Sequence, residues 1–412
     1  MGAKNYTLRA LGTLIENFDG RRIPVKESER KPGPYPYYGA SGVVDYIDNY
    51  IFEGDYLLVS EDGENLRTRQ TPIAFMAKGK FWVNNHAHII RGNEHADTRY
   101  LCYVLSSTDI SGYLTGSTMP KLTQGNLNIL PVIAPPLSEQ KRIAGILGTL
   151  DDKIELNRKM NETLEELVRA LFKSWFIDYD PVHAKAAGRG PAGMDQATAD
   201  LFPVSFEGSE LGKIPKGWKT STVGQKLTTI LGGTPSRTKP EYWTNGTVAW
   251  INSGKANEFR ITDPSEWITE EALENSATKL LPKRTTVLAI TGATLGQVSV
   301  TEIECCANQS VIGIISSNQF PTEYIYPWIN EKIGTLIASQ TGGAQQHVNK
   351  RNVEDLPLLC PDAKIVQSYA AITKPIFDKI ADNCFQSRTL AALRDTLIPK
   401  LLSGEIPFPD QP

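Results

Sequence analysis

The chain has 412 residues and a formal net charge of −3 at pH 7, with 40% apolar and 22% charged residues. This length predicts two or three domains of an ordinary globular protein, and no apolar run approaches bilayer-spanning length. The N-terminus lacks the apolar core of a signal peptide, and the five cysteines lack metal-ligand spacing, which predicts a reduced, cytoplasmic chain. No region is basic overall, so any DNA binding must rest on local patches or be shared with partner subunits.

Residues 1–136 are predicted to form a mixed α/β domain. Strand-like runs at residues 43–47, 56–60 and 88–90 are separated by turns rich in glycine and proline, and a short helix is predicted over 99–107. Residues 35–42 combine aromatic, small and flexible side chains. Two interpretations of this segment are equally open: a loop that approaches a ligand closely, and an ordinary surface turn anchored by its aromatic residues.

Candidate nucleic-acid contacts in this domain come from that segment, from nearby arginines and from a loop at 115–124. Arginine reads guanine bidentately and also binds phosphate, while small residues and amides allow contacts to base edges. The candidates are Tyr37, Tyr38, Ser41, Arg67, Arg69, Lys121 and Gln124.

A single long helix is predicted from Ser138 to Ile177. Its apolar residues recur in alternating steps of four and three, which is a heptad seam, with Asn157 and Asn161 in its middle. Ser138 suits the N-cap position, and forty helical residues would span roughly 60 Å. A helix of that length requires a partner helix to bury its seam.

The partner is predicted within the same chain, because the seam reappears after a shift of 226 residues. Asn157 then falls on Asn383, and Leu130-Pro131 falls on Leu356-Pro357. Two unrelated amphipathic helices would not share prolines, loops and polar seam positions, so the chain contains an internal duplication. The two helices, 137–182 and 362–404, are expected to pack against each other, and Pro375 is expected to kink the second or delay its start.

Residues 183–216 are predicted to be a linker, 217–361 a second α/β domain, and 405–412 a tail. The second domain repeats the outline of the first but has different loops, as expected for two readers of two short sequences. Its candidate contacts are Arg237, Lys239, Asn252, Lys255, Gln345, Gln346, Asn349, Lys350 and Arg351.

Motifs for catalysis are not found. Residues 208–213 have the wrong spacing for a phosphate-binding loop, and neither an Asn-Pro-Pro-aromatic motif nor a glycine-rich cofactor loop occurs. His86 and His88 fit strand positions better than a metal site, and residues 362–364 fit the lead-in to a helix better than a nuclease fragment. We therefore predict no catalytic residue, metal ligand or cofactor in this chain.

Four segments carry a resemblance to a known family. They are residues 135–140 (PPLSEQ), 171–176 (LFKSWF), 212–218 (GKIPKGW) and 397–404 (LIPKLLSG). Together with the duplicated layout, they make the chain similar to the specificity (S) subunit of type I restriction–modification enzymes over nearly its whole length.

The resemblance implies a non-catalytic subunit of a host-defence system, with two target-recognition domains that each read one half of an interrupted double-stranded DNA target. It implies recruitment of two methyltransferase subunits, which bind S-adenosylmethionine and methylate an adenine in each half, and of restriction subunits that use ATP and Mg²⁺. The resemblance also implies a mixed α/β fold with a pseudo-twofold repeat, in which the two long helices pack as an antiparallel coiled coil and set the gap between the half-sites. The competing hypotheses are a nuclease or methyltransferase that acts alone, and a non-DNA coiled-coil scaffold that pairs two partner-binding domains.

Overall fold

The computed structural model describes residues 6–339 and 348–406. They fall in two compact units, the first containing residues up to 155 together with 388 onward, and the second containing residues 156–387. Among the described helices, none combines the length and apolarity that a bilayer crossing would demand.

In the part of the first unit that the structure describes, ten short strands and three short helices precede the long helices. The strands are β1 Leu8–Ala10, β2 Ile15–Asn17, β3 Pro32–Gly39, β4 Gly42–Ile47, β5 Phe52–Glu53, β6 Tyr56–Ser60, β7 Ala74–Ala77, β8 Lys80–Val83, β9 Ala87–Gly92 and β10 Pro131–Ile133. The helices are α1 Asn65–Thr68, α2 Thr98–Ser107 and α3 Gln124–Ile129. Two four-stranded sheets result, in the orders β2-β9-β6-β7 and β4-β3-β8-β5, together with the pair β1-β10.

The aromatic segment predicted to be a loop lies largely in strand β3. Its pairing with β4 shifts register between Pro32 and Tyr35, and its parallel pairing with β8 involves only Tyr37 and Tyr38. Pro34 lies in that register shift, and Pro36 is opposite Tyr46 of β4 but outside the β3–β8 ladder, so neither proline interrupts the parallel pairing. Proline normally argues against a strand, which is why the sequence pattern misled here.

The first long helix, α4, covers Leu137–Phe176, within one residue of the predicted bounds at each end. Helices α5 Asp180–Ala186 and α6 Gln196–Leu201 follow it. The segment predicted to be a linker is therefore folded, and it continues into a β-hairpin. Phe202, Ile214 and Trp218 show why, because all three are buried in one apolar core with Phe176 and Tyr369. These apolar residues have no regular spacing, so no periodic pattern indicated a folded segment.

Among its described residues, the second unit contains twelve further strands and five further helices. The strands are β11 Phe206–Ser209, β12 Gly212–Pro215, β13 Lys219–Thr222, β14 Thr228–Leu231, β15 Val248–Ile251, β16 Glu266–Ile268, β17 Leu280–Leu281, β18 Thr286–Ala289, β19 Val298–Val300, β20 Cys305–Ala307, β21 Val311–Ile315 and β22 Pro357–Cys360. The helices are α7 Val223–Lys226, α8 Glu270–Asn275, α9 Thr322–Ser339, α10 Lys350–Glu354 and α11 Ala363–Leu402.

The second unit repeats the sheet topology of the first strand for strand. Its sheets are ordered β14-β21-β18-β19 and β16-β15-β20-β17, with the pair β13-β22, and β15 runs parallel to β20 as β3 does to β8. A close contact is repeated too. A Cβ on Gly12 would lie 2.9 Å from Cβ of Asn128, and one on Gly224 would lie 2.7 Å from Cβ of Glu354. The duplication is therefore structural as well as sequential.

The helices α4 and α11 pack antiparallel within each unit. In the second unit, Asn157 hydrogen-bonds Gln386, Asn161 hydrogen-bonds Asn383, and the Val168 carbonyl accepts from Tyr369. The residue numbers on α11 fall as those on α4 rise, so the two helices run in opposite directions. In the first unit, Asp151 of α4 pairs with Arg394 of α11. The predicted antiparallel helix pair is confirmed.

The predicted late start of the second long helix is wrong, because α11 runs from Ala363 through Pro375 to Leu402 without a break. Pro375 has no N–H to donate to the carbonyl of Ala371, so that one hydrogen bond is absent. The neighbouring Tyr369 and Phe377 are fully buried, and their packing holds this part of the helix in place.

The middle of the helix pair is polar and buried. Asn383 donates through Nδ2 to Oδ1 of Asn161 over 2.8 Å. Asn157 donates through Nδ2 to Gln386 at 2.9 Å and to Ser387 at 3.2 Å. Polar seam residues of this kind fix the register of a helix pair at a cost in stability.

We predict that Asn383→Leu lowers the free energy of unfolding by about 1–3 kcal/mol, because it leaves Oδ1 of Asn161 buried without a donor. The double variant Asn161→Leu/Asn383→Leu removes both partners and should regain most of that loss. Denaturant unfolding measures both, with the exposed Asp382→Ala as the control, expected within about 0.5 kcal/mol of the wild type. An Asn383→Leu variant as stable as the wild type would contradict a role for the hydrogen bond.

Candidate nucleic-acid interface

Four loop segments meet at one end of the first unit. The Ser60 hydroxyl donates to the Ala40 carbonyl at 2.5 Å, the Glu61 amide to the His86 carbonyl at 2.9 Å, and the Leu122 amide to the Glu61 carbonyl at 2.8 Å. We name the surface formed by residues 39–42, 60–63, 84–87 and 115–122 the first loop face.

Three predicted contact residues lie exposed on or beside this face. Ser41 is in the turn between β3 and β4, Lys121 ends the 115–121 loop, and Gln124 begins α3 behind the N-cap Thr123. Arg67 is exposed as well, and its Nη2 donates to the carbonyl of Gly116 at 3.2 Å. The structure thus brings four of the predicted residues together.

The two predicted tyrosines belong to the domain core instead. Tyr37 is fully buried, and its hydroxyl donates to the Val25 carbonyl at 3.3 Å. Tyr38 is half-buried and packs edge-on against Phe81 at a centroid distance of 5.6 Å. The prediction that Tyr37 contacts DNA is corrected by its burial, because a side chain without exposed surface cannot reach a ligand.

Arg69 also has a structural task. It adopts a left-handed backbone with φ of 50°, and its guanidinium donates to the carbonyls of Ser106 and Thr108. These carbonyls lie at the C-terminal end of α2, where a cation compensates the helix dipole. The guanidinium is therefore already occupied by backbone acceptors.

An ionic cluster of Asp19, Arg22, Glu61, His88 and Lys121 lies beneath the first loop face. His88 is buried, with Nδ1 2.6 Å from Asp19 and Nε2 2.7 Å from the Leu122 carbonyl. Arg22 pairs with Glu61 at 2.5 Å, and Lys121 pairs with Glu61 at 3.0 Å. The cluster ties the 115–122 loop to the sheet and holds Lys121 in a fixed position.

Asp19, Glu61 and His88 are also the one group within the described residues whose ligand atoms lie close enough for a metal ion, within 4.8 Å. Those atoms already face Arg22, Lys121 and each other. A metal ion would have to displace two cations. The arrangement therefore fits an ionic anchor better than a metal site.

The cluster lowers the pKa of both carboxyl groups. Burial alone would raise the pKa of Asp19, but the hydrogen bond and charge of His88, the Ile89 amide and Arg22 bring it below its usual value. Burial would likewise raise the pKa of Glu61, but its hydrogen bonds with Arg22 and Lys121 outweigh that effect, so the pKa of Glu61 is also lowered. The stability that these groups contribute is present above their usual pKa values and is lost as pH falls through the lowered ones.

The equivalent end of the second unit carries the second loop face, formed by residues 232–239, 252–255, 290–294 and 308–310. The Gly233 amide donates to the Ala307 carbonyl at 2.8 Å, and the Asn308 amide donates to the Ile251 carbonyl at 3.0 Å. The Val348 amide donates to the Ile290 carbonyl at 3.2 Å, as Leu122 does to Glu61 in the first unit. Three segments of the second loop face, 252–255, 290–294 and 308–310, therefore follow strands equivalent to those that the segments of the first loop face follow.

Most predicted cations of the second domain are paired. Lys255 is largely buried and bridges Glu258 at 2.7 Å and Asp263 at 2.9 Å, so its charge is neutralised and it is poorly suited to bind phosphate. Lys239 is exposed and donates to the hydroxyl of Tyr242 at 2.9 Å. Arg237 is exposed and pairs with a carboxylate of the neighbouring strand β16.

The predicted residues near α10 remain open to solvent. Asn349 caps α10 in a reciprocal pair with Asn352, Lys350 pairs with Glu354 at 3.4 Å, and Arg351 is 87% exposed beside Asp355. Asn252 is exposed and accepts from the Gly254 amide at 2.9 Å. The predicted contacts Gln345 and Gln346 lie outside the described residues.

Sequence reasoning missed one polar pair on the first loop face. His86 is half exposed, and its Nδ1 lies 2.9 Å from a carboxylate oxygen of Asp62. His88 does lie in a strand, but β9 begins at Ala87, so His86 belongs to the turn before it. Asn84 and Asn85, which favour turns, were the available signal.

We predict that Glu61→Gln destabilises the first unit by about 3 kcal/mol at neutral pH, because it leaves Arg22 without its buried carboxylate. The loss relative to the wild type should shrink as pH falls through the lowered pKa of Glu61, because the wild-type carboxylate is then itself protonated. Denaturant unfolding from pH 7 to pH 3 measures this, with Glu64→Gln in the exposed pair with Arg67 as the matched control. A pH-independent difference would contradict the ionic anchor.

A family model described as the type I restriction modification DNA specificity domain matches residues 3–166 and again residues 215–383. The specificity subunit of the type I restriction enzyme HindI from Haemophilus influenzae is 26% identical over 403 residues, covering 86% of this chain and 84% of that protein. The MjaIX specificity subunit from Methanocaldococcus jannaschii is also 26% identical, over 98% of this chain and 94% of its own.

A solved structure shows the same fold. The S subunit of the type I restriction–modification system from M. genitalium aligns with a TM-score of 0.59 at 16% identity, covering 99% of this chain and 97% of its own. The two family matches coincide with the two copies of the internal repeat and together take up more than half of the chain. The chain therefore belongs to the family of type I restriction–modification DNA specificity domains.

Proposed function

We propose that this chain is the specificity subunit of a type I restriction–modification system and that its two domains read the two halves of an interrupted DNA sequence. The observation that carries the proposal is the strand-for-strand repetition of one sheet topology with different side chains on the two loop faces. A shared scaffold provides the same docking geometry twice, and the differing loops provide two different readouts.

The chemistry of the loop faces supports contacts to DNA. Ser41, Gln124 and Asn252 offer hydroxyl and amide groups in exposed turns, which suit base edges. Arg351, which is 87% exposed, offers a cation for phosphate, and Lys121 offers a second cation whose charge is partly offset by Glu61. The side chains on each face are held by local hydrogen bonds and ion pairs, so that little ordering is required on binding.

The long helices offer equivalent positions for two protein partners. Ile146 and Leu167 of α4 are exposed, and so are Ile372 and Leu393 of α11, their counterparts after the shift of 226 residues. Exposed aliphatic side chains that recur in both copies suit two copies of one partner. We propose that these partners are methyltransferase subunits, and that restriction subunits join the resulting complex.

Methyl transfer would then be the task of the partners. This chain recognises the target, and the partners supply S-adenosylmethionine binding and reach the target adenine, which must leave the base stack to react.

We predict that exchanging residues 1–136 for the equivalent domain of a relative changes one half of the methylated target and leaves the other half intact. Methylome sequencing of cells that express the complete system reads both halves directly. The reciprocal exchange of residues 217–361 is the matched control and should change only the other half. Simultaneous change of both halves in either chimaera would contradict two independent readers.

We also predict that the purified chain does not bind S-adenosylmethionine and gains methyltransferase activity only after addition of its partner. Isothermal titration calorimetry of the chain alone, followed by the reconstituted complex as the positive control, measures this. Stoichiometric heat of binding with the chain alone would contradict the assignment of the chemistry to the partner.

A further inference from the structure

The two domains share an arrangement of three side chains, an arginine, an aromatic residue and a carboxylate, that the sequence analysis did not predict. In the first domain, Arg30 lies over the ring of Tyr37 with its Cζ 4.5 Å from the centroid, and it pairs with Asp45 at 3.3 Å. Tyr37 and Asp45 are directly opposite each other on β3 and β4.

In the second domain, Trp250 and Glu266 occupy the equivalent opposed positions on β15 and β16. Arg237 pairs with Glu266 through both terminal nitrogens, at 2.7 Å and 2.6 Å. Its Cζ lies 5.4 Å from the centroid of Trp250 and 3.5 Å from that of Trp243. An arginine, an aromatic ring and a carboxylate are thus placed alike in both copies.

The two copies differ in exposure. The Arg30 side chain is 19% exposed and also donates through Nε to the Val25 carbonyl at 3.2 Å, so it is enclosed by its own domain. The Arg237 side chain is 52% exposed, and within the described residues its Nε donates to no acceptor. The first copy is therefore a closed structural clamp, and the second keeps hydrogen-bonding groups open to a ligand.

We propose that Arg237 and Glu266 together read one G·C base pair in the DNA half-site bound by the second domain, with Arg237 on guanine and Glu266 on its cytosine. This inference rests on the proposed function. Guanine presents two acceptors, N7 and O6, in the major groove, and cytosine presents the N4 donor beside them. The guanidinium can keep its terminal nitrogens on Glu266 and direct its Nε side to guanine, because it carries five donors in a rigid plane.

The spacing of the pair supports this assignment. The paired Arg237 nitrogen and Glu266 oxygen are 2.6 Å apart, so a donor and an acceptor stand side by side. Guanine O6 and cytosine N4 are joined by a hydrogen bond of about 2.9 Å, so an acceptor and a donor stand side by side at nearly the same spacing. The two patterns are complementary.

A phosphate contact fits the pair less well. The carboxylate cancels the charge of the guanidinium and would repel a phosphate, while the hydrogen bond from Arg237 lowers the pKa of Glu266 and keeps it ionised at neutral pH. Stacking on Trp243 fixes the guanidinium plane. A fixed, neutral donor–acceptor pair is suited to a base edge.

The test uses the complete complex with its methyltransferase subunit and duplexes of the target determined by methylome sequencing. Each G·C pair of the second half is replaced by A·T in turn. For the wild type, one replacement should cost about 5- to 150-fold in binding. In Glu266→Gln and in Arg237→Lys, which loses the bidentate fork, this cost should fall below about 3-fold at that position alone. The matched variant Asp45→Asn in the first domain should keep every preference.

The outcomes separate this inference from the proposed function. If the wild-type system methylates no interrupted motif, the proposed function fails. If it does, but the second half holds no G·C pair, or both variants keep full discrimination, only this inference is overturned. A loss of affinity that is equal for all duplexes would also overturn it, because the pair would then only brace the loop. If Glu266→Gln does not fold, Arg237→Lys alone decides.

Discussion

Each long helix presents an apolar seam that it can bury only against the other helix. Forty residues of isolated amphipathic helix would leave that seam in water, and the antiparallel contact of α4 with α11 removes it. In the observed register, the buried Asn383 donates a hydrogen bond to Asn161, and the buried Asn157 donates one to Gln386. Sliding one helix along the other by a turn would leave their polar groups unpaired. The helix pair is therefore fixed along its axis as well as held together.

The globular domains are attached to this pair by ions as well as by apolar contacts. In the first unit, Arg99 pairs with Asp152 of α4 at 2.8 Å. In the second unit, the wholly buried guanidinium of Arg260 pairs with Glu165 of α4 at 2.8 Å, and Arg284 pairs with Asp378 of α11 at 2.6 Å. Breaking a buried pair strands a charge in a medium of low polarity, so these contacts specify how each domain sits on its own helices.

The sequence predicted the features that depend on a repeated pattern. The heptad seam placed α4 to within one residue, and the shift of 226 residues identified its partner. It failed where the outcome depends on distant contacts. Pro34 and Pro36 hid a strand because proline normally argues against one, and the irregular spacing of Phe202 and Trp218 hid a folded segment. Likewise, packing around Pro375 overrode its local preference.

The same reason explains the uneven result for the candidate site. Whether a cation can bind a ligand depends on whether another group of the chain already pairs with it. Such groups are far apart in sequence, as Arg69 is from Thr108 and Arg237 from Glu266. Composition and motif alone could therefore identify the loops but not which of their charges are already used.

The pairing of so many cations bears on how a chain of net charge −3 can recognise DNA. Phosphate contacts supply most of the affinity of DNA-binding proteins and carry no sequence information, whereas base contacts carry the information. On the described loop faces, Lys121, Lys255 and Arg237 each have a carboxylate partner, which limits their attraction for phosphate. Those carboxylates also fix the side chains in place, and fixed donors and acceptors discriminate between bases better than mobile ones. Such a chain favours discrimination over affinity, and in the proposed complex the partner subunits would supply further phosphate contacts.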